Sequence, residues 1–227
     1  RLTWASALQN AMLVVWGLGL GLYLVRRESR MSYRKEFREA NRSFAGIKGA
    51  LKIPVWVTVS ILYVLMFSPG LFTLLAPPVT APPPVTAPWI RPAVQALGLL
   101  IMVAGLILEA LADKQKSDFK KTSPNRYCDV GLYRWVRCPN YLGDIVFWVG
   151  NWVVGLVAYD TRLEWLLSVI GLVAIVWIMI GSTRRLEEKH HEKYGGLPGY
   201  QAYIRQVPIL FPWVPLYSLR KLRVFMG

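Results

Sequence analysis

The sequence predicts an all-α fold, a polytopic membrane bundle of about five transmembrane helices with amphipathic helices on its cytosolic side. Three observations predict it. Of 227 residues, 54% are hydrophobic and ten are Trp, too apolar a composition for a soluble domain of this size. Apolar runs of about 20 residues recur along the chain, each long enough to cross a hydrocarbon core of roughly 30 Å as a helix. The basic residues, finally, segregate by side. Taken with five spans, the alternate loops after the first and third spans and the tail after the fifth carry nine, seven and eight Lys or Arg, 24 of the 27 in the chain. The opposite side holds only Arg1, Arg91 and Arg162. That alternation is what the positive-inside rule demands, so the net charge of +14 reads first as a topology signal and argues against nucleic-acid binding. Residues 1–227 read as a single integral membrane domain. The chain opens on Arg1 rather than Met, which leaves room for preceding spans.

The first span is expected over Ala5–Val25, with Gly17 and Gly21 as a small-xxx-small helix contact. Arg26–Arg42 is heavily basic and reads as a partly helical segment at the membrane surface. The second span covers about Ile53–Leu75, where Ser68-Pro69-Gly70 is expected to kink or break the helix. The connector APPVTAPPPVTAPWIRP favours polyproline II and is a linker. Pro92–Ala112 forms the third span, with Glu109 in its last turn and Asp113 four residues on, so the two acids share a face. A basic loop, Lys114–Pro139, follows. It contains Cys128 and Cys138, whose spacing fits no zinc site and whose expected cytosolic exposure argues against a disulfide. The fourth span runs from Asn140 to about Val157, and a tight turn at Ala158–Thr161 leads into the fifth, about Leu163–Gly181. The tail opens as a charged helix, RRLEEKHHEKYGG, and continues aromatic and proline-rich. His190 and His191 are adjacent, face different directions on a helix and make a poor metal pair. No metal is expected.

The stretch Gly131–Asn151, GLYRWVRCPNYLGDIVFWVGN, carries polar groups into an apolar run. On a helix Asn140, Asp144 and Asn151 fall within roughly 40° of one face. A carboxylate and two amides are costly beside lipid unless they face a partner or a cavity, which makes the stripe a site candidate; helix-to-helix glue is the plainer reading. Three segments are expected to converge on the cytosolic side: Glu109 to Arg126, Arg134 to Asp144 and Arg184 to Arg205. Lys and Arg suit phosphates, Tyr and Trp suit flat rings, and Asp and Asn suit hydroxyl or carboxamide groups. No Walker loop and no Gly-rich Rossmann turn is present, so any nucleotide would be bound by side chains of a helical bundle.

The same stretch resembles the C-terminal signature of the steroid 5-alpha-reductase family, and its NYLGD piece reads like that of membrane sterol reductases. Upstream, EALADKQKSDFKK (Glu109–Lys121) resembles the family's acid-xxx-Asp-x-Gln-Lys-xx-Phe segment. Downstream, EEKHHEKYGGLPGYQAYIRQVPILFP resembles its closing Lys-Tyr-Gly, Tyr-xx-Tyr and Val-Pro pattern. The resemblance spans about residues 109–212, which makes this half the cofactor-binding part. It implies an NADPH-dependent oxidoreductase that transfers a hydride to a carbon–carbon double bond of a steroid- or lipid-like substrate. It also implies a multi-pass protein of the endoplasmic reticulum or a bacterial inner membrane, with basic loops and tail cytosolic. By the same resemblance Glu109 and Asp113 would hold the nicotinamide-ribose region and Lys120 and Arg126 the phosphates. Arg137, Asn140, Tyr141 and Asp144 would line the middle of the site, and Arg184, Glu188 and Tyr194 would close it. Arg184 and Glu188 also suit a plain i,i+4 surface pair. No proton donor is identified; Tyr23 and Tyr63 are candidates by residue type alone. The competing resemblance is to S-adenosylmethionine-dependent isoprenylcysteine or phospholipid methyltransferases, through Arg-x-Pro-x-Tyr-x-Gly (Arg137–Gly143) and Arg-xx-Glu-Glu (Arg184, Glu187, Glu188). A non-enzymatic lipid- or partner-binding module is the third reading.

Overall fold

A computed structural model describes residues 3–28, 49–76 and 89–222. The basic segment from residue 29 to 48 and the proline-rich connector from 77 to 88 lie outside the described residues, as does the side chain of Tyr23. The described residues are all-helical, with no strand: α1 (Trp4–Glu28), α2 (Gly49–Leu75), α3 (Ile90–Thr122), a 3-10 turn (Gly131–Arg134), α4 (Pro139–Gly155), α5 (Arg162–Tyr194) and α6 (Pro198–Gln206). Stretches in α1, α2, α3 and α5 are long and apolar enough to cross a membrane. The expected fourth span, α4, has 17 residues. At 1.5 Å per residue it reaches about 25 Å, a little short of the hydrocarbon core.

Local chemistry sets the ends. Thr3 and Ser6 cap α1 reciprocally, the hydroxyl of each accepting the backbone N–H of the other at 3.1 Å. Thr161 and Glu164 form a full capping box at the start of α5, and Pro139 starts α4, where its missing N–H costs nothing. Two expectations about length are corrected. The Lys114–Pro139 segment is not a loop from its start, because α3 continues to Thr122. Lys114 and Lys121 both pair with Asp118, and no breaker occurs before Pro124. The fifth span and the charged helix after it are likewise one helix, which ends only at Gly195 and Gly196.

Nor does Pro69 break α2. It cannot donate to the carbonyl of Leu65, and the Ser68 hydroxyl donates there instead at 2.7 Å, so the helix carries on to Leu75.

The centre of the bundle is the antiparallel contact of α3 with α4. Gly98 and Gly105 on α3, and Gly143 and Gly150 on α4, are each two turns apart and interleave. A Cβ on Gly98 would sit 2.6 Å from the Val154 nitrogen, one on Gly143 2.7 Å from the Glu109 nitrogen, and one on Gly150 2.5 Å from the Met102 nitrogen. One on Gly105 would meet the backbone of Phe147. The two backbones therefore touch, which is how helices gain packing energy where no hydrophobic effect drives them together. Gly17, Gly19 and Gly21 behave differently. Nothing lies within 4 Å of a Cβ at any of them, so the expected Gly17/Gly21 helix contact is not made among the described residues.

Beside this seam α1 runs antiparallel to α4 and reads its polar stripe at two levels. Trp16 Nε1 donates to Asp144 Oδ1 at 3.1 Å. Seven residues away on both helices, Gln9 Nε2 donates to Asn151 Oδ1 at 2.8 Å, while Thr73 of α2 donates to Gln9 Oε1 at 2.7 Å. Asn151 is thus the glue between helices, 1% exposed and also donating to the Met66 carbonyl at 3.3 Å. Around them Met12, Trp16, Met66, Met102, Phe147, Trp148 and Ile175 form the apolar core.

Three outcomes follow for unfolding in detergent, monitored by circular dichroism. Gly105→Leu lowers stability by about 2 kcal/mol or more because the α3 and α4 backbones must separate, whereas Gly17→Ala stabilises by about 0.5–1 kcal/mol, since it fills open space and removes helix-interior glycine. Gln9→Leu costs about 1–3 kcal/mol by leaving the buried Asn151 Oδ1 without its donor, while the Thr73 hydroxyl keeps the Gly70 carbonyl at 2.8 Å.

Candidate functional site

The glycine seam decides where the acids go. With Gly143 pressed on the backbone of Glu109, the last turns of α3 and the first turns of α4 lie side by side. Glu109, Asp113 and Asp144 then interact electrostatically across the seam. The three carboxyls are half-buried. Asp144 is the one held by Trp16, whose ring also packs edge-on against Trp148 at 4.9 Å between centroids. Three neighbouring acids repel one another, and donors such as hydroxyls or a cation relieve that repulsion.

Further toward the α4 N-terminus the chemistry turns basic and aromatic. Lys116 and Lys120 from α3, Tyr127 and Tyr133 from the connecting loop, Arg137, His190 and Tyr194 from α5, and Tyr200 and Tyr203 from α6 surround a cavity of about 20 Å³. That is room for about one water molecule. Lys120 Nζ donates to the Tyr194 hydroxyl at 2.8 Å and to the Arg126 carbonyl. The Tyr203 hydroxyl donates to the Tyr133 carbonyl at 2.7 Å, fastening α6 to the 3-10 turn. Burial raises the Tyr133 and Tyr203 phenols above their ordinary range, so both keep their protons and remain donors. The turn itself needs Gly131, whose φ of +58° a side chain would strain and where a Cβ would collide with the Gln115 side chain.

Arg137 is the centre of this half. It is 7% exposed and pairs with Glu187 at 3.3 Å, and its guanidinium also donates to the Tyr217 carbonyl. The Glu187 carboxylate accepts the Leu219 N–H at 2.8 Å. The backbone N–H groups of Arg137 and Cys138 donate to the carbonyls of Pro208 and Ile209 at 3.0 and 3.1 Å, so the tail is laced onto the start of α4. Arg137 Nε is buried and has no protein partner. Cys128 and Cys138 are free thiols, and both are buried rather than exposed as the loop reading expected. Burial pushes the Cys138 thiol up to about 12, so it stays protonated.

The structure brings together two groups of the sequence-derived candidates. Glu109, Asp113 and Asp144 meet at the seam, while Lys120, Arg137 and Tyr194 line the cavity. Asn140 is half-buried in the first turn of α4, and Tyr141 packs against the apolar cluster under the tail. Arg126 lies outside the cavity, exposed and paired with Asp129 at 2.7 Å. Arg184 and Glu188 form an i,i+4 pair at 3.1 Å on a part-exposed face of α5, apart from the cavity lining. Tyr63, a proton-donor candidate by type, is 44% exposed on α2. Among the described residues no group of three His, Cys, Asp or Glu is disposed to hold a metal ion.

Sequence reasoning did not name Trp16, Lys116 or Tyr203 as site residues, and named Glu187 only within the methyltransferase resemblance. Glu187 and Glu188 are indistinguishable by type; only the helical phase puts Glu187 inward, on the face it shares with Thr183 and Tyr194.

A protein of Schizosaccharomyces pombe described as "Uncharacterized protein C594.04c" is 29% identical to this chain over 136 aligned positions, covering 51% of the chain and 38% of the relative. The chain therefore spans well under two thirds of that relative's length. No solved structure matches it. Residues 1–207 match the model of the family described as "Protein of unknown function (DUF1295)", and the chain belongs to that family.

Proposed function

We propose that this protein is a membrane-embedded, NADPH-dependent reductase acting on a carbon–carbon double bond of a steroid- or lipid-like substrate, in keeping with the steroid 5-alpha-reductase resemblance. The observation that carries the reading is the meeting of an acidic seam with a basic, tyrosine-lined cavity at the junction of α3, α4, α5 and α6. Those donor sets fit the two ends of a phosphorylated dinucleotide. Carboxylates at Glu109, Asp113 and Asp144 accept from ribose hydroxyls or a carboxamide. Lys116, Lys120 and the unpartnered Arg137 Nε suit phosphate oxygens. Bound there, NADPH would supply the hydride. The chain's own residues orient the cofactor and, through the apolar bundle around Trp16 and Phe147, keep water from the reacting end. A cavity of about 20 Å³ holds no dinucleotide, so binding on this reading requires the loop, α6 or the tail to move outward.

A second reading, S-adenosylmethionine-dependent methyl transfer, is favoured by one contact. The Arg137–Glu187 pair joins the two pieces of the methyltransferase resemblance. Both readings meet in one assay, thermal unfolding of the detergent-purified protein with each ligand. NADPH at a hundred times its Kd stabilises by about 2.7 kcal/mol if it binds only the folded state, while S-adenosylmethionine leaves the midpoint unchanged. The reverse result hands the site to methyl transfer, and no response to either removes both.

Asp144→Asn keeps an acceptor for Trp16 and so leaves the ligand-free midpoint within about 1 kcal/mol, yet weakens NADPH about tenfold or more through loss of the charge. Arg137→Ala is a poor substitute for that test: stranding Glu187 in the interior costs about 3–5 kcal/mol whatever the cofactor.

A further inference from the structure

We infer that the tail between Pro208 and Lys221 is an interfacial strap that docks on anionic phospholipids of the leaflet in which α4 begins. This goes beyond the proposed reaction and does not depend on it. The strap folds into a tight loop: Ile209 N–H donates to the Leu216 carbonyl at 2.9 Å, and Val214 N–H donates to the Phe211 carbonyl at 3.2 Å. One side of the loop is sewn to the protein. Ile209, Leu210 and Leu219 are buried in a cluster with Cys138 and Ile145, against which Val149, Val176, Met179 and Ile180 also pack. Val149 lies inside the apolar run of α4, and Val176, Met179 and Ile180 are in the last turns of the apolar stretch of α5, so the strap rests at the depth of the bilayer boundary rather than out in solvent.

The other side is unpartnered and apolar at its tip. Trp213 is 89% exposed, the most of any large apolar residue described, and Val214 beside it is 47% exposed, between Pro212 and Pro215. A soluble surface rarely leaves an indole and a valine bare at one turn. Trp135 is 69% exposed two residues before Arg137, whose backbone is bonded to Pro208. Indole rings, apolar in body with one N–H donor, favour the headgroup–acyl boundary. The rim is basic: Arg134 precedes Trp135, and Arg220 and Lys221 end the strap, all three exposed. Charge complementarity then selects an anionic headgroup over a zwitterionic one.

Spin labels test this in nanodiscs, with Cys128 and Cys138 replaced by Ala. A label at Val214→Cys is compared with a mid-bilayer reference at the exposed Val173 of α5 and an aqueous reference at Lys121, by collision with oxygen and with a water-soluble nickel chelate. The Val214 label is expected to fall between the two references, shielded from nickel at least fivefold relative to Lys121 but less than Val173, and Trp213→Ala is expected to move it toward the aqueous value. Trp213 is nearly fully exposed, so its removal spares the fold. A Val214 label that meets nickel as freely as the Lys121 label, or one unmoved by Trp213→Ala, overturns the docking. Phosphatidylglycerol discs are expected to deepen the label relative to phosphatidylcholine discs, an effect lost in Arg220→Gln/Lys221→Gln. Equal depth in both discs overturns the assignment to anionic lipid.

Discussion

Everything at the candidate site depends on the closeness of α3 and α4. Four glycines, two on each helix and two turns apart, remove the Cβ atoms that would otherwise hold the helices at their normal separation. The chain gives up helix propensity at each of them and recovers it in backbone-to-backbone packing along the seam. Because Gly143 lies against the backbone of Glu109, the acids at the end of one helix come alongside the acid at the start of the other. A wider spacing would have left Glu109 and Asp144 to be screened separately by solvent or lipid headgroups.

A second constraint works at the helix ends. Placing Arg137 and Glu187 out of water costs more than their mutual attraction returns unless the remaining hydrogen-bonding capacity is filled. The tail supplies much of that filling from its backbone, with the Tyr217 carbonyl on the guanidinium and the Leu219 N–H on the carboxylate. The pair, the loop before α4 and the tail therefore form one cooperative unit. Its one buried loose end is Arg137 Nε, which has no partner among the described residues. The polar groups deeper in the bundle are treated more conservatively: Gln9, Thr73 and Asn151 satisfy one another, as buried amides in a low-dielectric interior must.

Much of this was legible in the residues. Apolar run length marked α1, α2, α3 and α5, and of the stripe Asn140, Asp144 and Asn151 the last two meet α1 through Trp16 and Gln9, while Asn140 is half-buried. What spacing could not tell was which member is structural. Asn151 was resolved as glue only because Gln9 happens to sit opposite it, while Trp16 sits opposite Asp144. The loop expected after Ala112 and a break at Pro69 do not occur, and the span expected to end at Gly181 is continuous with the charged helix after it, for related reasons. Ion pairs, a serine hydroxyl and the absence of a true breaker let each helix run on. Gly17 and Gly21, read as a contact motif, face open space, whereas the glycines that do pack are seven apart and escape a four-residue pattern.

The amino-acid sequence alone determined the membrane character, the helical class, the capped starts of α1 and α5 and the residue types gathered at each helix end, because length, hydropathy and capping are local properties. The tertiary structure alone decided that Glu187 rather than Glu188 meets Arg137, that the tail lies on α4 and α5, and that both cysteines are covered. Each of those depends on helical phase and on contacts between residues tens of positions apart, and no local pattern encodes which of two chemically equal side chains will turn inward.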